Sequence, residues 1–455
     1  MRIKLLKPMI LSEIAAATGA TLKARNKYVT VSYLTTDSRE ILPGDLFVCI
    51  KGEKYDGEYF ASEALKKGAY LLSREQRKNS LRVEDTRAAL LSLANYGKRL
   101  LRGLKKTVAV TGSVGKTTTK EFIRTIAEAD CRTHATEGNL NNDIGVPMTI
   151  LSAPQDTKLL VLEMGMNSSG EISRLSKSTE PDIGIITCIG TAHIGRLGSR
   201  ENIARAKLEI LDGMRGGRLI IPYGEPLLPT GDGAFTFSAS NNSADLYITR
   251  NKGNAKISVK GDNAYEAPFK PDGEHNLSCL GAAVSACHLC GISVESIKNG
   301  ISLISNDITR QSIIKVGNFY ILNDSYNASY ESIIAAFELM SSYKDYTQRS
   351  VVIGDILELG NEENAIYGRL GEAIQKYGFN RVFLVGNCCE VISGVLIKGG
   401  FPINKIHTNE DYTRLDYTAS EILRGRSAGE LILLKASHKI RLGGLVDLLK
   451  AKAEG

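Results

Sequence analysis

An α/β fold in three domains is predicted by two features of this 455-residue chain. Short apolar bursts rich in Val, Ile and Leu alternate with runs at helical spacing, first between residues 104 and 223 and again from residue 312. Such bursts suit strands buried on both faces of a parallel sheet, and their alternation with helices suits a doubly wound sheet. The second feature is length: at the usual ~150 residues per domain the chain holds about three. The boundaries fall near 103 and 310, giving a small α/β domain over 1–103, a central parallel-sheet domain over 104–310 and a Rossmann-like domain over 311–455.

In the first domain, YVTVSYL, GDLFVCI and AYLLS read as strands, with a helix over 59–67 and another along TRAALLSLANYGKRLLRG. Ser12 is the expected N-cap of a short amphipathic helix before them. Pro8, Ser12 and Glu13 interrupt any leader-like apolar run, and no later run reaches the ~18 residues of a membrane span. A cytoplasmic protein is expected. In the central domain TVAVT, KLLVLEMG, DIGIITCIG and GRLIIPY are strands; the polar stretch 230–275 is expected as antiparallel strands, followed by a helix over 276–291. The third domain takes strands from NFYILND, SVVIGDI, RVFLVGN and ELILLKAS, with helices over 329–341, 363–377 and 411–424.

An apolar content of 43% with 24% charged residues excludes a disordered or fibrous chain. The formal charge of +7, with no dense Lys/Arg block, suits a small anionic ligand and gives no reason to expect nucleic acid. Cys287 and Cys290 have CxxC spacing, but they lie in the small-residue run GAAVSACHLCG and read as buried helix thiols rather than metal ligands. A monomer is expected.

The chemistry begins at TVAVTGSVGKTTT, residues 107–119. A strand, a tight glycine turn and a helix opening, in that order, aim backbone N–H groups and a helix N-terminus at an anion. Lys116 then reaches the terminal phosphates and Thr117 offers a hydroxyl to Mg²⁺. The turn is short: the common P-loop pattern has a glycine where Val110 stands, and here the loop starts at Gly112. Thr111, Gly112, Ser113, Gly115, Lys116, Thr117 and Thr118 are therefore the expected ATP-phosphate residues.

Three further segments add to this cradle. GNLNNDIGVP, residues 138–147, reads either as a solvated loop or as a substrate-gripping set of amides, Asn139, Asn141 and Asn142. Glu163 ends the strand LLVLE, where an open α/β sheet binds ligands, and a carboxylate there suits Mg²⁺. His193 follows the next apolar strand. A lone histidine is more often structural, but beside Glu163 it suits the same divalent metal. Lys207, on the helical run ENIARAKLEI, is unfavourable near a cation unless its amine is neutral or converted to an anion.

The short TGSVGKTTTKE loop, the NLNNDIGVP run, EMGMNSSGEI, TAHIGRLGS and ARAKLEI, in that order, resemble the Mur ligase superfamily. The resemblance runs end to end. Asp37-Ser38-Arg39 and LPGDLFVCIKGEKYDGEYF resemble a uridine-nucleotide-binding domain, GEHNLSCLGAA a segment whose Asn276 approaches adenine, and NDSYNAS and VVIGDILELG the branch that adds D-alanyl-D-alanine. Departures from the family pattern are Val114, Asn323, Ser329-Tyr330 and LLKASHK; they leave Lys116, Thr117, Glu163, His193 and Lys207 in place.

The resemblance implies ATP-dependent ligation of a UDP-linked muramoyl peptide to D-alanyl-D-alanine through an acyl phosphate, in peptidoglycan precursor synthesis. It implies two Mg²⁺ ions, one held by Thr117 and Glu163 and the other by His193 and a carbamylated Lys207, and Arg310 reaching the γ-phosphate. Asp324, Tyr326 and Asn327 would close on ribose and adenine, Ser38 and Arg39 would hold the uridine end, and Lys435 and Ser437 the incoming dipeptide. A sister ligase adding another amino acid, including a pseudomurein-type one, and a P-loop ATPase or kinase are the alternatives. Because these residues are spread over three domains, catalysis is expected to need domain closure.

Overall fold

The computed structural model describes residues 1–52, 54–229, 231, 233–305, 312–346 and 348–454. Arg310 lies outside them. Three sheets carry the chain, as the alternation predicts.

The first sheet is ordered β1-β3-β4-β5-β6-β2, from β1 (Arg2–Ile10), β2 (Thr21–Lys23), β3 (Thr30–Thr35), β4 (Leu46–Val48), β5 (Tyr70–Ser73) and β6 (Ser80–Arg82). Pro8 sits where the β1–β3 register slips, on an edge strand, a place in a sheet that tolerates a residue without an N–H. Helix α1 (Leu11–Thr18) starts one residue before Ser12, so Ser12 is not its N-cap; instead Glu13 accepts the Ile10 N–H at 3.4 Å. The helix expected over 59–67 is a 3₁₀ turn (Gly57–Phe60) running into α2 (Ala61–Lys66), because the Asp56 side chain caps the turn at Glu58 N–H. Helix α3 (Thr86–Leu100) joins this domain to the next: Asn95 donates to the Ser178 carbonyl at 2.7 Å and Arg87 pairs with Asp143 at 2.6 Å.

The central sheet runs β15-β14-β13-β12-β11-β10-β7-β9-β8. Its strands are β7 (Lys106–Thr111), β8 (Thr133–Ala135), β9 (Leu159–Glu163), β10 (Ile183–Ile186), β11 (Arg218–Pro222), β12 (Ala234–Ser238), β13 (Leu246–Asn251), β14 (Asn254–Val259) and β15 (Tyr265–Pro268). β7 lies between β9 and β10 and is parallel to both, so its carboxyl end is the switch point of the sheet. The expectation for 230–275 needs correcting: β12 and β13 continue the parallel sheet, and only β14 and β15 are antiparallel. Polar turn residues at 239–245 masked that continuation, because a short parallel connection reads like a hairpin. Helices α4 (Lys116–Glu128), α5 (Gly145–Leu151), α6 (Glu171–Thr179), α7 (Ile194–Leu197), α8 (Arg200–Leu208), α9 (Glu274–Leu289) and α10 (Val294–Ser302) complete the domain.

The third sheet, β16-β17-β21-β18-β19-β20, is parallel except at β16. It is formed by β16 (Ser312–Val316), β17 (Phe319–Asn323), β18 (Arg349–Gly354), β19 (Arg381–Val385), β20 (Ile406–Asn409) and β21 (Leu431–Lys435). Its helices are α11 (Tyr330–Ser342), α12 (Glu363–Tyr377), α13 (Cys388–Lys398), α14 (Leu415–Arg424) and α15 (Gly444–Glu454). The helix expected over 411–424 opens at Leu415, since Asp411 and Thr413 close a turn on each other first. Cys287, Cys388 and Cys389 are buried helix thiols. Among the described residues, no helix is long and apolar enough to cross a membrane.

Candidate active site

The glycine turn after β7 is shaped by what packs behind it. Gly112 has φ +148°, and a Cβ there would run into the Thr187 hydroxyl; Gly115, at φ +86°, lets the chain turn directly into α4. The loop is tied to the chain leaving β10: Ser113 N–H donates to the Cys188 carbonyl at 3.0 Å, and Ser113 Oγ accepts from Gly190 N–H at 2.9 Å. Val114, the departure from the family pattern, adds only backbone bonds, its carbonyl accepting from Thr187 and its N–H donating to Cys188 Sγ. Lys116 is the first residue of α4, and its Nζ lies 2.8 Å from the Gly112 carbonyl, curled over the turn.

Above this turn lies a cavity of about 390 Å³. Its central-domain wall includes Ser113, Gly115, Lys116, Thr117, Thr118, Asn139, Asn141, Asn142, Glu163, His193, Lys207 and Asn276, and its third-domain wall Asp324, Tyr326, Asn327 and Lys435. Residues as far apart in sequence as Ser113 and Lys435 are thus gathered at the carboxyl ends of parallel strands in two sheets. Thr111 lies beneath, the buried last residue of β7. Ser437 stays outside the lining, its Oγ accepting from Leu357 N–H at 2.9 Å, and Ser38 and Arg39 lie on the first domain, away from this cavity. Arg39 is largely exposed and paired with Asp37 at 2.6 Å.

The electrostatics of the cavity are set by burial. Glu163 is 2% exposed; Asn141 Nδ2 donates to its Oε1 at 2.8 Å, and its buried Oε2 has no hydrogen-bond partner. A buried carboxylate oxygen left bare is costly unless a cation or donor completes it. Asn141 therefore orients Glu163, and Asn142 caps α5 by accepting from Gly145 N–H at 2.9 Å. Lys207 is 2% exposed, and burial, reinforced by the Lys116 charge, lowers its pKa to about 7. No salt bridge among the described residues includes it. His193 also has its pKa lowered by burial, against the pull of Glu358, whose Oε2 lies 2.6 Å from its Nδ1.

A divalent cation fits this donor set. Glu163 Oε2 is a hard oxygen with an open coordination position, and Thr117, His193 and Lys207 line the same cavity. Mg²⁺ takes one or two carboxylates and completes its shell with phosphates and water, so no dense carboxylate cluster is required.

Three groups were not singled out in the sequence. Half-buried His275 lines the cavity beneath Gly115, and Glu331 and Glu358 reach from the third domain onto the loop carrying His193. His275 adjoins Asn276 in the quoted GEHNLSC motif and Glu358 lies within the quoted VVIGDILELG, so both could have been found there; Glu331 carries no local signal.

The profile of the Mur ligase middle domain matches residues 110–287, and that of the Mur ligase family, catalytic domain, matches residues 30–96. The UDP-N-acetylmuramoyl-tripeptide–D-alanyl-D-alanine ligase of Bacillus subtilis is 34% identical over 453 residues, covering 95% of this chain and 96% of that protein. The chain belongs to the Mur ligase family. The Escherichia coli enzyme of the same name is 32% identical over 80% of the chain and 83% of its own length. A crystal structure titled MurF from Acinetobacter baumannii superposes with a TM-score of 0.87 at 27% identity, covering 99% of this chain and 100% of that one. The three-sheet arrangement is that of the Mur ligase architecture.

Proposed function

We propose that this Mur ligase joins D-alanyl-D-alanine to the terminal carboxylate of a UDP-N-acetylmuramoyl tripeptide, with ATP as the activating co-substrate. One observation carries the reading: a P-loop with Lys116 faces Asp324 and Lys435 of another domain across one cavity. A hydrolase needs only the first wall. A ligase must bring an amine to an activated carboxylate, and the second wall supplies room and charge for it.

An unactivated carboxylate is a poor electrophile at neutral pH. ATP converts it to an acyl phosphate, the dipeptide amine adds to the carbonyl, and the tetrahedral intermediate expels phosphate. Lys116 and the α4 N-terminus offset charge on the transferred phosphoryl group. Asn276, Asp324, Tyr326 and Asn327 hold the nucleoside, and Lys435 the dipeptide carboxylate. Residues 1–103, with Ser38 and Arg39, hold the uridine end; 104–310 hold ATP; 311–455 bring the dipeptide. Arg310 is assigned to the γ-phosphate and Ser437 to the dipeptide by resemblance alone.

Thr117 and Glu163 would hold one Mg²⁺, and His193 with Lys207 as its carbamate a second; when bound, the metal supplies charge neutralisation at the phosphates. A Lys207 amine with pKa near 7 is substantially neutral at physiological pH and so able to attack CO₂, and the resulting anion relieves the Lys116–Lys207 repulsion.

The test is ATP-dependent phosphate release from the purified protein with UDP-muramoyl tripeptide and D-alanyl-D-alanine, alone and together. Release requiring both supports the ligase. Release with neither acceptor identifies an ATPase, and release with a single amino acid in place of the dipeptide identifies a sister ligase.

A further inference from the structure

His193 and Glu358 are 165 residues apart and belong to different domains, yet Nδ1 of the ring lies 2.6 Å from Glu358 Oε2. The other carboxylate oxygen, Oε1, is 2.8 Å from Arg196 Nη2. The backbone repeats the grip, since the Gly195 N–H donates to the Glu358 carbonyl at 2.8 Å. A Cβ on Gly195 would come within 2.6 Å of that carbonyl oxygen, so the approach requires glycine. Both partners hold left-handed backbone, φ +66° at His193 and φ +65° at Glu358. Non-glycine residues are strained there and persist when their surroundings over-determine them, a pattern common at functional sites. A second carboxylate docks on the same loop: Glu331 accepts from Thr191 N–H at 2.9 Å and from its hydroxyl at 3.1 Å.

A neutral imidazole has one N–H. When Nδ1–H is given to a carboxylate, Nε2 is left as a lone pair, and the ring is fixed with that nitrogen available to the cavity His193 lines. We propose that Glu358 is a positioning residue which, as the third domain closes, takes the Nδ1–H of His193 and leaves Nε2 as the acceptor for a cation in the phosphate cavity. The inference rests on the ligase reading above and adds a coupling to it. The histidine reaches its metal-binding tautomer only when the domain that brings the amine has arrived. An acyl phosphate is then made only where it is shielded from water.

The experiment follows the His193 tautomer by ¹⁵N NMR on the full-length, histidine-labelled protein at pH 8, without metal and with saturating UDP-muramoyl tripeptide and a non-hydrolysable ATP analogue, so that the third domain is closed. Six histidines are present, and the His193 signals are identified by their loss in His193→Gln. In the parent protein the proton is expected on Nδ1. In Glu358→Ala it moves to Nε2 or becomes mixed, and in Glu358→Gln, whose amide oxygen still accepts, it stays. Glu358→Asp, charged but one methylene shorter, repeats the loss should the alanine variant not fold. Under turnover, Glu358→Ala is expected to lose about 10–100-fold in kcat, with KM for the UDP-peptide little changed, and Glu358→Gln to recover most of it. An Nε2–H proton in the parent, or an Nδ1–H signal unmoved in Glu358→Ala and Glu358→Asp, overturns the proposal. If the parent releases no phosphate with both substrates the ligase reading fails, and the tautomer measurement still decides the His193–Glu358 contact by itself.

Discussion

Lys435 Nζ and Asp324 Oδ2 lie 2.8 Å apart at the carboxyl ends of the neighbouring strands β21 and β17. Lys435 is 3% exposed and Asp324 14%, so the pair is desolvated where it lines the cavity above the glycine turn. Removing Asp324 takes from the buried Lys435 ammonium the carboxylate it is paired with, and such losses cost about 3–5 kcal/mol. Asp324→Asn is expected to lower the melting temperature by several degrees, and Asp324→Asn with Lys435→Met to recover much of it. Neither variant is expected to ligate. Additive losses in the double variant, read by thermal denaturation, would show that the two charges are not coupled.

Lys116 opens α4 and lines the cavity, and its side chain is partly open to it. Lys116→Ala is expected to cost ~10²–10³ in kcat/KM while the melting temperature stays within a degree or two. Near-parent ligation by this variant would remove the P-loop from the mechanism.

Glu163→Gln separates stability from turnover. The bare Oε2 burdens the metal-free fold, so replacing the charge with an amide is expected to leave the melting temperature unchanged or higher. Turnover falls by ~10² or more, and the rise in melting temperature that Mg²⁺ with a non-hydrolysable ATP analogue gives the parent is reduced. Chelation of Mg²⁺ from the parent abolishes phosphate release. An equal thermal response to Mg²⁺ in parent and variant would place the ion elsewhere.

Lys207 sets a pH dependence whose sign is fixed by its depressed folded pKa. Between about 7, the folded value, and 10.5, the ordinary one, the unfolded chain binds more protons than the folded protein. Stability of CO₂-depleted, metal-free protein therefore rises with pH across that window and is flat below it as far as this group is concerned. Lys207→Met is expected to flatten the rise. Lys207→Ala loses most activity and regains some with added formate or acetate, which can stand in for a carbamate. A parent activity that falls below pH 7 and recovers with bicarbonate supports the same chemistry; a variant as active as the parent sinks it.

The sequence alone determined the glycine turn after β7, because Gly112, Gly115, Lys116 and Thr117 act through backbone geometry over six consecutive residues. It also determined the alternation of strand and helix, since burial on both sheet faces writes itself into local apolar runs. Glu163 was legible for the same reason, as the polar residue ending such a run. Parallel pairing of β12 with β13 was not legible, because pairing is chosen by partners distant in the chain rather than by the composition of the connection. Asn141 and Asn142 could be seen as amides, but only packing assigns one to Glu163 and the other to the cap of α5. The burial of Lys207, the bare oxygen of Glu163 and the reach of Glu331 and Glu358 onto the His193 loop were decided by tertiary structure. Each arises where surfaces from separate elements or domains exclude water together, and desolvation of that kind leaves no trace in the local order of residues.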